Sequence, residues 1–398
     1  MQRLILFLLG LLIAPAAQAV ERRTPVTILI SIDGFRADYL DRGLTPTLKA
    51  LATGGVSGAM TPAFPSKTYP NHAAIATGLV PDRNGVVGNH MEDPTHPGNT
   101  FALDASLDEF WWGQAEPIWV AAERSSIPTA ILFWPGSNVA FEGVRPRAWF
   151  RYQREVSGRQ RIDAVLDWLR RPAESRPRFV ATYLDPVDSA GHNYGTNSPE
   201  LAASLREVDA NLKRLRLGLA AIDQPANIVI VADHGMTDTS PDRVLWLKDM
   251  ADPGDYRTVE DGPYAAIYPA PGHEDRLAAA LLKPRPHVAC YTRATIPVRF
   301  QLGRNPRVPP FLCLAEPGWM LLDKVPAKGM DRGTHGYDNR APDMRALFIA
   351  NGPALAAGRH VDGLQSVDVY PLLRDLLKLP SKPGIDGSDT PFRGLVRR

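Results

Sequence analysis

Acidic and imidazole side chains recur in this sequence beside runs of apolar, β-branched residues that are typical of buried strands. The groups are Asp33, Asp188 with His192, Asp233 with His234, and His335. Taken singly, Asp33 can belong to an ordinary turn, the next pair to a helical ion pair, and His335 to a loop. Together they offer carboxylate and imidazole ligands without a thiolate. That set suits a catalytic Zn²⁺ or a similar divalent ion, and leaves Mn²⁺ and Co²⁺ open.

The number of candidate ligands is enough for two neighbouring sites of three ligands each. Two metal ions roughly 3.5–4 Å apart can stabilise both the attacking and the leaving oxygen of a phosphoryl transfer. The residue types therefore predict metal-assisted chemistry at phosphorus, and such chemistry needs a nucleophile.

Thr68 is the candidate nucleophile. It lies in the stretch Phe64-Pro-Ser-Lys-Thr-Tyr-Pro-Asn-His72, before an apolar run that predicts a helix. Pro70 is tolerated only in a first turn, so it indicates where this helix begins. A helix start points backbone N–H groups at a phosphate, and a metal-coordinated hydroxyl can lose its proton and attack phosphorus. Without the candidate ligands, Thr68 would be assigned as a helix N-cap. We interpret the neighbouring Lys67 as a solvated lysine.

Five apolar runs predict the strands that position these residues. They are Val26–Ile32, Thr129–Phe133, Phe179–Leu184, Asn227–Ala232 and Ala346–Ala350. Helical patterns lie between them, one beginning at the cap Ser198-Pro-Glu and another extending from Val367 to Leu377. The alternation predicts an α/β doubly wound, mostly parallel sheet flanked by helices. Sites in such folds form at the carboxyl ends of strands, where most of the candidate ligands occur.

The interval from about residue 249 to residue 331 differs from the rest, because it is rich in proline and aromatic residues. We interpret it as a smaller lobe inserted into a single catalytic domain that spans residues 20–398. It contains the two cysteines of the chain, Cys290 and Cys313. In an oxidising compartment these can form a disulfide that pins one loop region.

The N-terminus predicts export. Residues 1–19 combine Arg3, an apolar run from Leu4 to Ile13, and the small-x-small site Ala17-Gln-Ala19. The run is much shorter than the roughly 20 residues that span a bilayer. It therefore indicates a signal peptide, and we expect a periplasmic or secreted chain without a membrane span. The net charge of +2 gives no general case for a stable nucleic-acid partner, and we expect a monomer.

Five segments in one order resemble the nucleotide pyrophosphatase/phosphodiesterase family of the alkaline phosphatase superfamily. They are SIDGFRADYL, PAFPSKTYPNHAAIATGLVPDRNGVVGNHM, PVDSAGH, VADHGM and GTHGYDN, and they extend from Ser31 to Asn339. The resemblance implies an alkaline-phosphatase-like fold and a type I phosphodiesterase with two Zn²⁺ per subunit. The implied ligands are Asp33, Thr68, Asp233 and His234 for one zinc, and Asp188, His192 and His335 for the other. Thr68 matches a nucleophile that forms a phosphothreonine intermediate.

Three further residues match substrate-binding positions of the family. Asn89 matches an amide that binds a non-bridging phosphoryl oxygen, although Gly88-Asn89 alone would be interpreted as a turn. Tyr183 matches an aromatic residue that stacks on the nucleotide base, and Phe101 is assigned as the opposite wall. Both rings could equally belong to a core. Relatives commonly have two acids and a proline before the metal-binding aspartate, whereas this chain has Asp185-Pro-Val, so the pocket wall can differ.

The implied reaction is hydrolysis of nucleotide phosphodiester or pyrophosphate bonds, with release of nucleoside 5′-monophosphates. A phosphomonoesterase or a phospholipase C-like enzyme of the same superfamily is the nearest alternative. A sulfatase is disfavoured, because no Cys/Ser-x-Pro-x-Arg segment supplies a formylglycine. A non-catalytic zinc-binding protein belongs to a different class, and it would have no need of Thr68 beside a full ligand set.

Overall fold

The computed structural model describes residues 23–102 and 108–397. The predicted signal peptide lies outside the described residues. Within the described ranges, no helix is both long enough and apolar enough to cross a membrane.

A central eight-stranded sheet confirms the predicted α/β architecture. Its strand order is β18-β2-β17-β8-β1-β7-β5-β6. The strands of the chain are β1 (Val26–Ile32), β2 (Val56–Met60), β3 (Met91–Glu92), β4 (Thr100–Phe101), β5 (Thr129–Leu132), β6 (Ala148–Phe150), β7 (Phe179–Leu184), β8 (Ala226–Val231), β9 (Thr237–Asp238), β10 (Val244–Trp246), β11 (Tyr256–Glu260), β12 (Tyr264–Pro269), β13 (Val288–Thr292), β14 (Phe311–Ala315), β15 (Met320–Leu322), β16 (Gly333–Thr334), β17 (Ala346–Asn351) and β18 (Arg359–His360).

Each of the five predicted strands is present, within one residue at either end. Strand β1 is buried along its whole length and pairs in parallel with β7 and β8, as its continuous apolar run indicates. Strand β17 instead pairs antiparallel with both β2 and β8. An apolar run indicates burial on both faces but not direction, so the sequence did not show this reversal.

Helices pack against the sheet and connect many of its strands. They are α1 (Pro46–Thr53), α2 (Thr68–Thr77), α3 (Pro81–Asn84), α4 (Glu109–Trp112), α5 (Ile118–Arg124), α6 (Gly158–Arg170), α7 (Pro186–Tyr194), α8 (Pro199–Ala221), α9 (Glu274–Leu281) and α10 (Val369–Leu376). The predicted cap of α8 is confirmed, because the Ser198 side chain accepts a hydrogen bond from the backbone of Leu201. Five leucines of this helix are buried in the main apolar core, namely Leu201, Leu205, Leu212, Leu215 and Leu219.

Between β8 and β17 the chain builds a second, antiparallel sheet of four strands in the order β11-β12-β14-β13. This sheet falls within the interval that the sequence analysis assigned to an inserted lobe. Cys290 and Cys313 face each other on β13 and β14 and form a disulfide. The bond therefore joins two paired strands, where we had expected it to pin a loop.

An apolar cluster packs the lobe against the start of α2. The ring of Phe64, four residues before Thr68, stacks obliquely on Phe300 of the lobe with centroids 4.1 Å apart. Tyr264 of β12 lies against the same ring at 6.5 Å. All three side chains are buried in one contiguous cluster. The lobe therefore shares its packing with the segment that carries the candidate nucleophile.

Candidate active site

Three adjacent strands of the central sheet deliver the candidate ligands to one edge. Strand β1 lies between β7 and β8, with Ile32 opposite Leu184 and Ser31 opposite Val231. Asp33 follows β1, Asp233 follows β8 after one residue, and β7 leads into α7, which carries Asp188 and His192. The loops approach closely. Gly34 has a φ of +66°, and a Cβ there would lie 2.9 Å from the Cα of Asp188.

The first ligand set, defined as Asp33, Asp233 and His234, is a compact and fully buried group. Nε2 of His234 lies 3.0 Å from Oδ2 of Asp233 and 3.3 Å from Oδ1 of Asp33. Oγ1 of Thr68 lies 3.3 Å from the same nitrogen. One donor atom from each of the three ligands falls within 4.8 Å of the others, which is a spacing that a single cation can bridge.

The second ligand set, defined as Asp188, His192 and His335, lies beside the first. Oδ1 of Asp188 is 3.4 Å from Nε2 of His192 and 3.7 Å from Nε2 of His335. The His335 ring stacks on that of His234 with centroids 3.4 Å apart. The structure thus brings all seven predicted ligands, including Thr68, together at one edge of the sheet.

Every histidine of the two sets turns the same nitrogen toward the centre. Nδ1 of His234 faces the carbonyl of Gly235 at 2.9 Å, and Nδ1 of His335 faces the carbonyl of Ser66 at 2.9 Å. Because a carbonyl can only accept, Nδ1 carries the proton in both rings, and Nε2 is left with a lone pair. Nδ1 of His192 is likewise 3.0 Å from Oδ2 of Asp331. Such outer contacts fix the orientation of metal-binding histidines.

The carboxylates of the site are crowded, and each keeps one oxygen without a protein donor. Oδ1 of Asp33, Oδ1 of Asp188 and Oδ2 of Asp233 are buried oxygens without a hydrogen-bond partner. Burial and the neighbouring Asp233 raise the pKa of Asp33 well above its usual range, and burial and Asp188 raise the pKa of Asp233 to about 8. Unpartnered carboxylate oxygens beside imidazole lone pairs fit divalent cations, which would supply the missing positive charge.

The histidines respond in opposite ways to these surroundings. Burial lowers the pKa of His335 well below its usual range, and burial also lowers the pKa of His234. Burial acts in the same direction on His192, but Asp188 and Asp331 outweigh it and raise its pKa to about 9. The neutral form of His234 and His335 is the form that binds a metal.

Thr68 is the first residue of α2, and Lys67 occupies the N-cap position without a side-chain capping bond. The alternative assignment of Thr68 as the N-cap is therefore wrong, because its hydroxyl faces His234 and not the backbone of its own helix. Pro70 lies in the first turn, where the missing N–H removes no helical bond. The hydroxyl is thus free of a capping role at a helix start that faces the ligand sets.

Asn71 is a further residue of this segment, which the sequence analysis did not single out. Its fully buried side chain accepts from the backbone N of Ala63 at 2.7 Å and donates to the carbonyls of Ala63, Pro65 and Lys67 at 3.0–3.3 Å. These bonds fold the preceding loop around the side chain. The sequence signal was an asparagine directly after Pro70, which alone indicates only a polar helical residue.

Asn89 lies opposite the start of α2. Its Oδ1 accepts a hydrogen bond of 3.0 Å from the backbone N–H of Tyr69. That bond occupies the amide oxygen and leaves the Nδ2 donors for another acceptor. Since Asn89 is only half-buried and lines the cleft beside His192 and His335, its amide is placed to meet an anionic group.

The two predicted base-binding rings differ in their positions. Tyr183 donates a hydrogen bond from its hydroxyl to Oδ2 of Asp33, and its partly buried ring contacts that of His72. Phe101 has no exposed surface and packs edge-on against Tyr69 and Trp112. A ring enclosed in this way cannot offer a face to a base, so the assignment of Phe101 as an opposite wall does not fit the structure.

Tyr152 is an aromatic residue of the site that the sequence analysis missed. Its side chain is 48% exposed, and its ring lies 6.1 Å from that of Tyr183. The hydroxyl donates to Asp185, whose other oxygen accepts from buried Arg161 at 2.9 Å. Asp185 begins the Asp185-Pro-Val segment, which differs from the family pattern of two acids and a proline, and here it anchors an exposed ring beside the ligand sets.

Lys67 is not a solvated lysine, and that interpretation is wrong. The residue is 8% exposed, and its Nζ lies 3.6 Å from Oε1 of Glu260 on the lobe. Gly336 has a φ of +121°, which favours glycine, and a Cβ there would lie 2.6 Å from Cε of Lys67 and would displace the end of the lysine side chain. Because Glu260 is far from Lys67 in the sequence, local pattern could not reveal the pair.

A cleft of about 460 Å³ opens between the second ligand set and the lobe. We call it the lobe cleft. Its catalytic side includes Lys67, Asn89, His192 and His335, and its lobe side includes Glu260, Asp261 and Asp323.

Comparison with known proteins gives consistent matches over most of the chain. The sequence profile of the family described as "Type I phosphodiesterase / nucleotide pyrophosphatase" matches residues 27–338. An uncharacterized pyrophosphatase/phosphodiesterase of Schizosaccharomyces pombe is 37% identical over 379 residues, which cover 89% of this chain and 77% of the relative. The bis(5′-adenosyl)-triphosphatase of Xenopus laevis is 34% identical over 364 residues, covering 90% of this chain and 79% of the relative. The mouse ectonucleotide pyrophosphatase/phosphodiesterase family member 1 is 35% identical over 95% of this chain, which spans only 43% of that protein.

Solved structures show the same relationship. Human ectonucleotide pyrophosphatase/phosphodiesterase 5 superposes with a TM-score of 0.89 at 31% identity, covering 94% of this chain and all of that chain (100%). The murine counterpart, determined as an inactive threonine-to-alanine variant in complex with AMP, superposes with a TM-score of 0.88 at 31% identity and the same coverage.

Proposed function

Because this chain belongs to the type I phosphodiesterase/nucleotide pyrophosphatase family and has its alkaline-phosphatase-like fold, we propose that it cleaves nucleotide phosphodiester or pyrophosphate bonds and releases nucleoside 5′-monophosphates. One observation carries the proposal. The hydroxyl of Thr68 lies at a helix start, 3.3 Å from Nε2 of His234, within a double set of carboxylate and imidazole ligands. A binding protein would have no use for that hydroxyl.

Two Zn²⁺ ions are the proposed cofactors. The first would be held by Asp33, Asp233 and His234 with the Thr68 hydroxyl, and the second by Asp188, His192 and His335. The unpartnered carboxylate oxygens and the inward Nε2 atoms support this assignment. When bound, the ions supply Lewis-acid stabilisation of negative charge at the attacking and leaving oxygens.

Thr68 acts as the nucleophile of a two-step displacement in this proposal. Its Oγ1 forms a bond to phosphorus while the bond to the leaving oxygen breaks, and the hydroxyl proton passes to the leaving group. Water then cleaves the Oγ1–phosphorus bond of the phosphothreonine, which restores the Thr68 hydroxyl and releases the monophosphate. Because the nucleophile attacks in line with the leaving group, catalysis depends mainly on positioning the substrate and stabilising its negative charge.

Donors around Thr68 stabilise the phosphoryl oxygens. Among the first backbone N–H groups of α2, we assign that of Thr68 to the phosphate. The N–H of Tyr69 donates to Asn89, Pro70 has no N–H, and the N–H of Asn71 donates to the carbonyl of Lys67. Asn89 adds its amide Nδ2 from the opposite side, since its Oδ1 is already held by Tyr69. Donors fixed before the reaction need no reorganisation as charge develops, which is the oxyanion-hole role.

The nucleoside is proposed to lie against Tyr183 and Tyr152. Both rings flank the first ligand set, and Tyr152 offers a half-exposed face. This arrangement replaces Phe101 by Tyr152 as the second aromatic wall. The AMP bound to the murine neighbour and the dinucleoside triphosphate named for the Xenopus relative support a nucleotide substrate.

Hydrolysis of p-nitrophenyl thymidine 5′-monophosphate should be well above that of p-nitrophenyl phosphate in the zinc-loaded protein. A preference for the monoester would contradict the proposal and favour a phosphomonoesterase. A panel of ATP, dinucleotides and phosphocholine lipids separates a nucleotide enzyme from a phospholipase C-like one, since only the latter would prefer the lipids.

We further propose that the chain is exported and acts as a monomer. Export rests on the signal-peptide pattern in residues 1–19. A fusion of these residues to a reporter that is active only outside the cytoplasm tests export, and light scattering of the purified chain tests the oligomeric state.

A further inference from the structure

The lobe cleft lies on the leaving-group side of the proposed reaction. Thr68 is next to the first ligand set, and in an in-line displacement the leaving oxygen departs on the opposite side of phosphorus. That side is occupied by Asp188, His192 and His335. Because His192 and His335 also line the lobe cleft, the group attached to the leaving oxygen extends into it.

Glu260 is held rigidly at the wall of this cleft. Its side chain is 5% exposed, and Oε2 accepts hydrogen bonds from the Tyr264 hydroxyl at 2.6 Å and from the backbone N of His90 at 3.2 Å. Oε1 lies 3.6 Å from Nζ of Lys67. A buried carboxylate with fixed partners keeps its charge in one position, and here that position is beside the lysine that precedes the nucleophile.

Two further carboxylates, those of Asp261 and Asp323, line the lobe wall, together with the exposed Lys324. Asp261 follows Glu260 directly, and its Oδ2 accepts from the backbone N of Asp323 at 2.9 Å. Burial raises the pKa of Asp261, and the negative charges of Asp323 and Glu260 add to that effect. Lys67 therefore faces acidic residues of the lobe, and its ion pair with Glu260 offsets its charge before a substrate arrives.

We infer that Glu260 is a specificity-determining residue, which neutralises Lys67 and thereby lowers the preference of the lobe cleft for polyanionic leaving groups. The inference rests on the proposed function and names the property that the cleft selects, namely the charge of the leaving group. Leaving groups with little or no negative charge meet less repulsion from Glu260, Asp261 and Asp323 than pyrophosphate does.

Two substrates with one nucleoside isolate this property. Thymidine 5′-triphosphate and p-nitrophenyl thymidine 5′-monophosphate both yield thymidine 5′-monophosphate, but the first releases pyrophosphate and the second p-nitrophenolate. The measured quantity is the ratio of kcat/KM for the triphosphate to kcat/KM for the p-nitrophenyl ester. Wild-type activity on the ester tests the proposed function independently of the ratio.

Glu260→Gln is the main variant, because glutamine keeps an oxygen for Tyr264 and His90 while removing the charge. The ratio should rise about tenfold, the size expected for one unit charge close to a phosphate group near the protein surface. The rise should be smaller at high salt, because salt already screens the repulsion between Glu260 and the phosphates in the wild type. Adding Lys67→Met to Glu260→Gln should return the ratio toward the wild-type value.

Glu92→Gln is the matched control. Glu92 of β3 pairs with Arg257 through two bonds of 2.7 Å, and Arg257 lies on β11, the strand that also carries Glu260. Neither Glu92 nor Arg257 lines the lobe cleft. The control removes one carboxylate charge and one interdomain ion pair, and its ratio should equal that of the wild type. Asp261→Asn provides a second test on the cleft wall and should raise the ratio by a smaller factor.

An unchanged ratio in Glu260→Gln, or an equal fall for both substrates, would overturn the inference and assign Glu260 a purely structural role. Should Glu260→Gln fail to fold, as judged by circular dichroism, Asp261→Asn decides in its place, and an unchanged ratio there has the same consequence. Absence of wild-type activity on the ester would instead contradict the proposed function.

Discussion

The two ligand sets differ in how far they are exposed to water. The side chains of Asp33, Asp233 and His234 are at most 1% exposed. In the second set, Asp188 and His192 are 18% and 23% exposed, whereas His335 is 4% exposed. His192 and His335 line the lobe cleft. The difference separates two tasks. In the proposed reaction, the buried set fixes the Thr68 nucleophile, whereas the more exposed set lies on the side where the leaving group departs and water enters.

The largest expected effect comes from the buried side. Thr68→Ala should reduce kcat/KM about 10³-fold or more, because it removes the only atom that the proposal uses to attack phosphorus. Zinc content, measured by elemental analysis, should stay near that of the wild type, since the other ligands remain. Thr68→Ser retains a hydroxyl and should recover part of the activity. Wild-type turnover in the alanine variant would remove Thr68 from the mechanism.

A second comparison tests whether the sets differ in metal retention. Nε2 of His234 lies near the carboxylates of both sets, so His234→Ala should weaken binding of both ions. His192→Ala should affect mainly the exposed site. We expect about a hundredfold loss of zinc affinity at the affected sites, measured by competition with a chelator. Equal loss of both ions in the two variants would show that the sets do not act separately.

The aromatic residues offer a smaller contrast. Tyr152→Ala should raise KM for p-nitrophenyl thymidine 5′-monophosphate about tenfold, since stacking of a base on an aromatic ring is worth about 1–3 kcal/mol. Phe101→Leu should lower the thermal midpoint and leave KM within about twofold, because the Phe101 ring is fully buried. A KM effect at Phe101 without one at Tyr152 would restore the original assignment.

The smallest effect concerns stability against pH in the chelator-treated protein. The pKa of Asp233 is about 8 in the folded chain against 3.8 for a free carboxyl. Between these values the folded state binds more protons, so stability falls as pH rises from about 4 to about 8. Asp33 and His192, whose pKa values are also raised, act in the same direction. The lowered pKa values of His234 and His335 oppose it below about pH 6.5. The melting temperature should be higher at pH 5 than at pH 8 by a few degrees.

Two comparisons control this pH effect. Zinc loading should flatten the dependence, since a bound cation stabilises the ionised carboxylates. Asp233→Asn should flatten it in the chelator-treated protein, because the titrating group is gone. A melting temperature that rises with pH in the metal-free protein would contradict the assigned directions.

The fold and the ligands were predictable because each rests on a local pattern. Continuous apolar runs indicated β1, β7 and β8, and the residues that follow them come together because neighbouring parallel strands end at one edge. Strand β2 was missed because its sequence, Val-Ser-Gly-Ala-Met, has no continuous apolar run. The signal peptide at residues 1–19 lies outside the described residues and stays a prediction.

What the sequence could not show depends on partners that are distant along the chain. The burial of Lys67 requires Glu260, and the exposure of Tyr152 requires Asp185 and Arg161. The burial of Phe101 depends on Tyr69 and Trp112, which no spacing rule links to it. Such contacts are decided by packing, and they determine which residues line the cleft and which lie in the core.

The apolar cluster that joins Phe64 to Phe300 and Tyr264 has a consequence for how enzymes of this design diversify. A lobe exchanged as a whole would remove the contacts of Phe300 and Tyr264 with Phe64, in the loop before the candidate nucleophile. Selectivity in such a protein is therefore expected to change through single substitutions on the cleft wall, and engineers seeking new substrates should mutate the lobe in place and not graft another onto the chain.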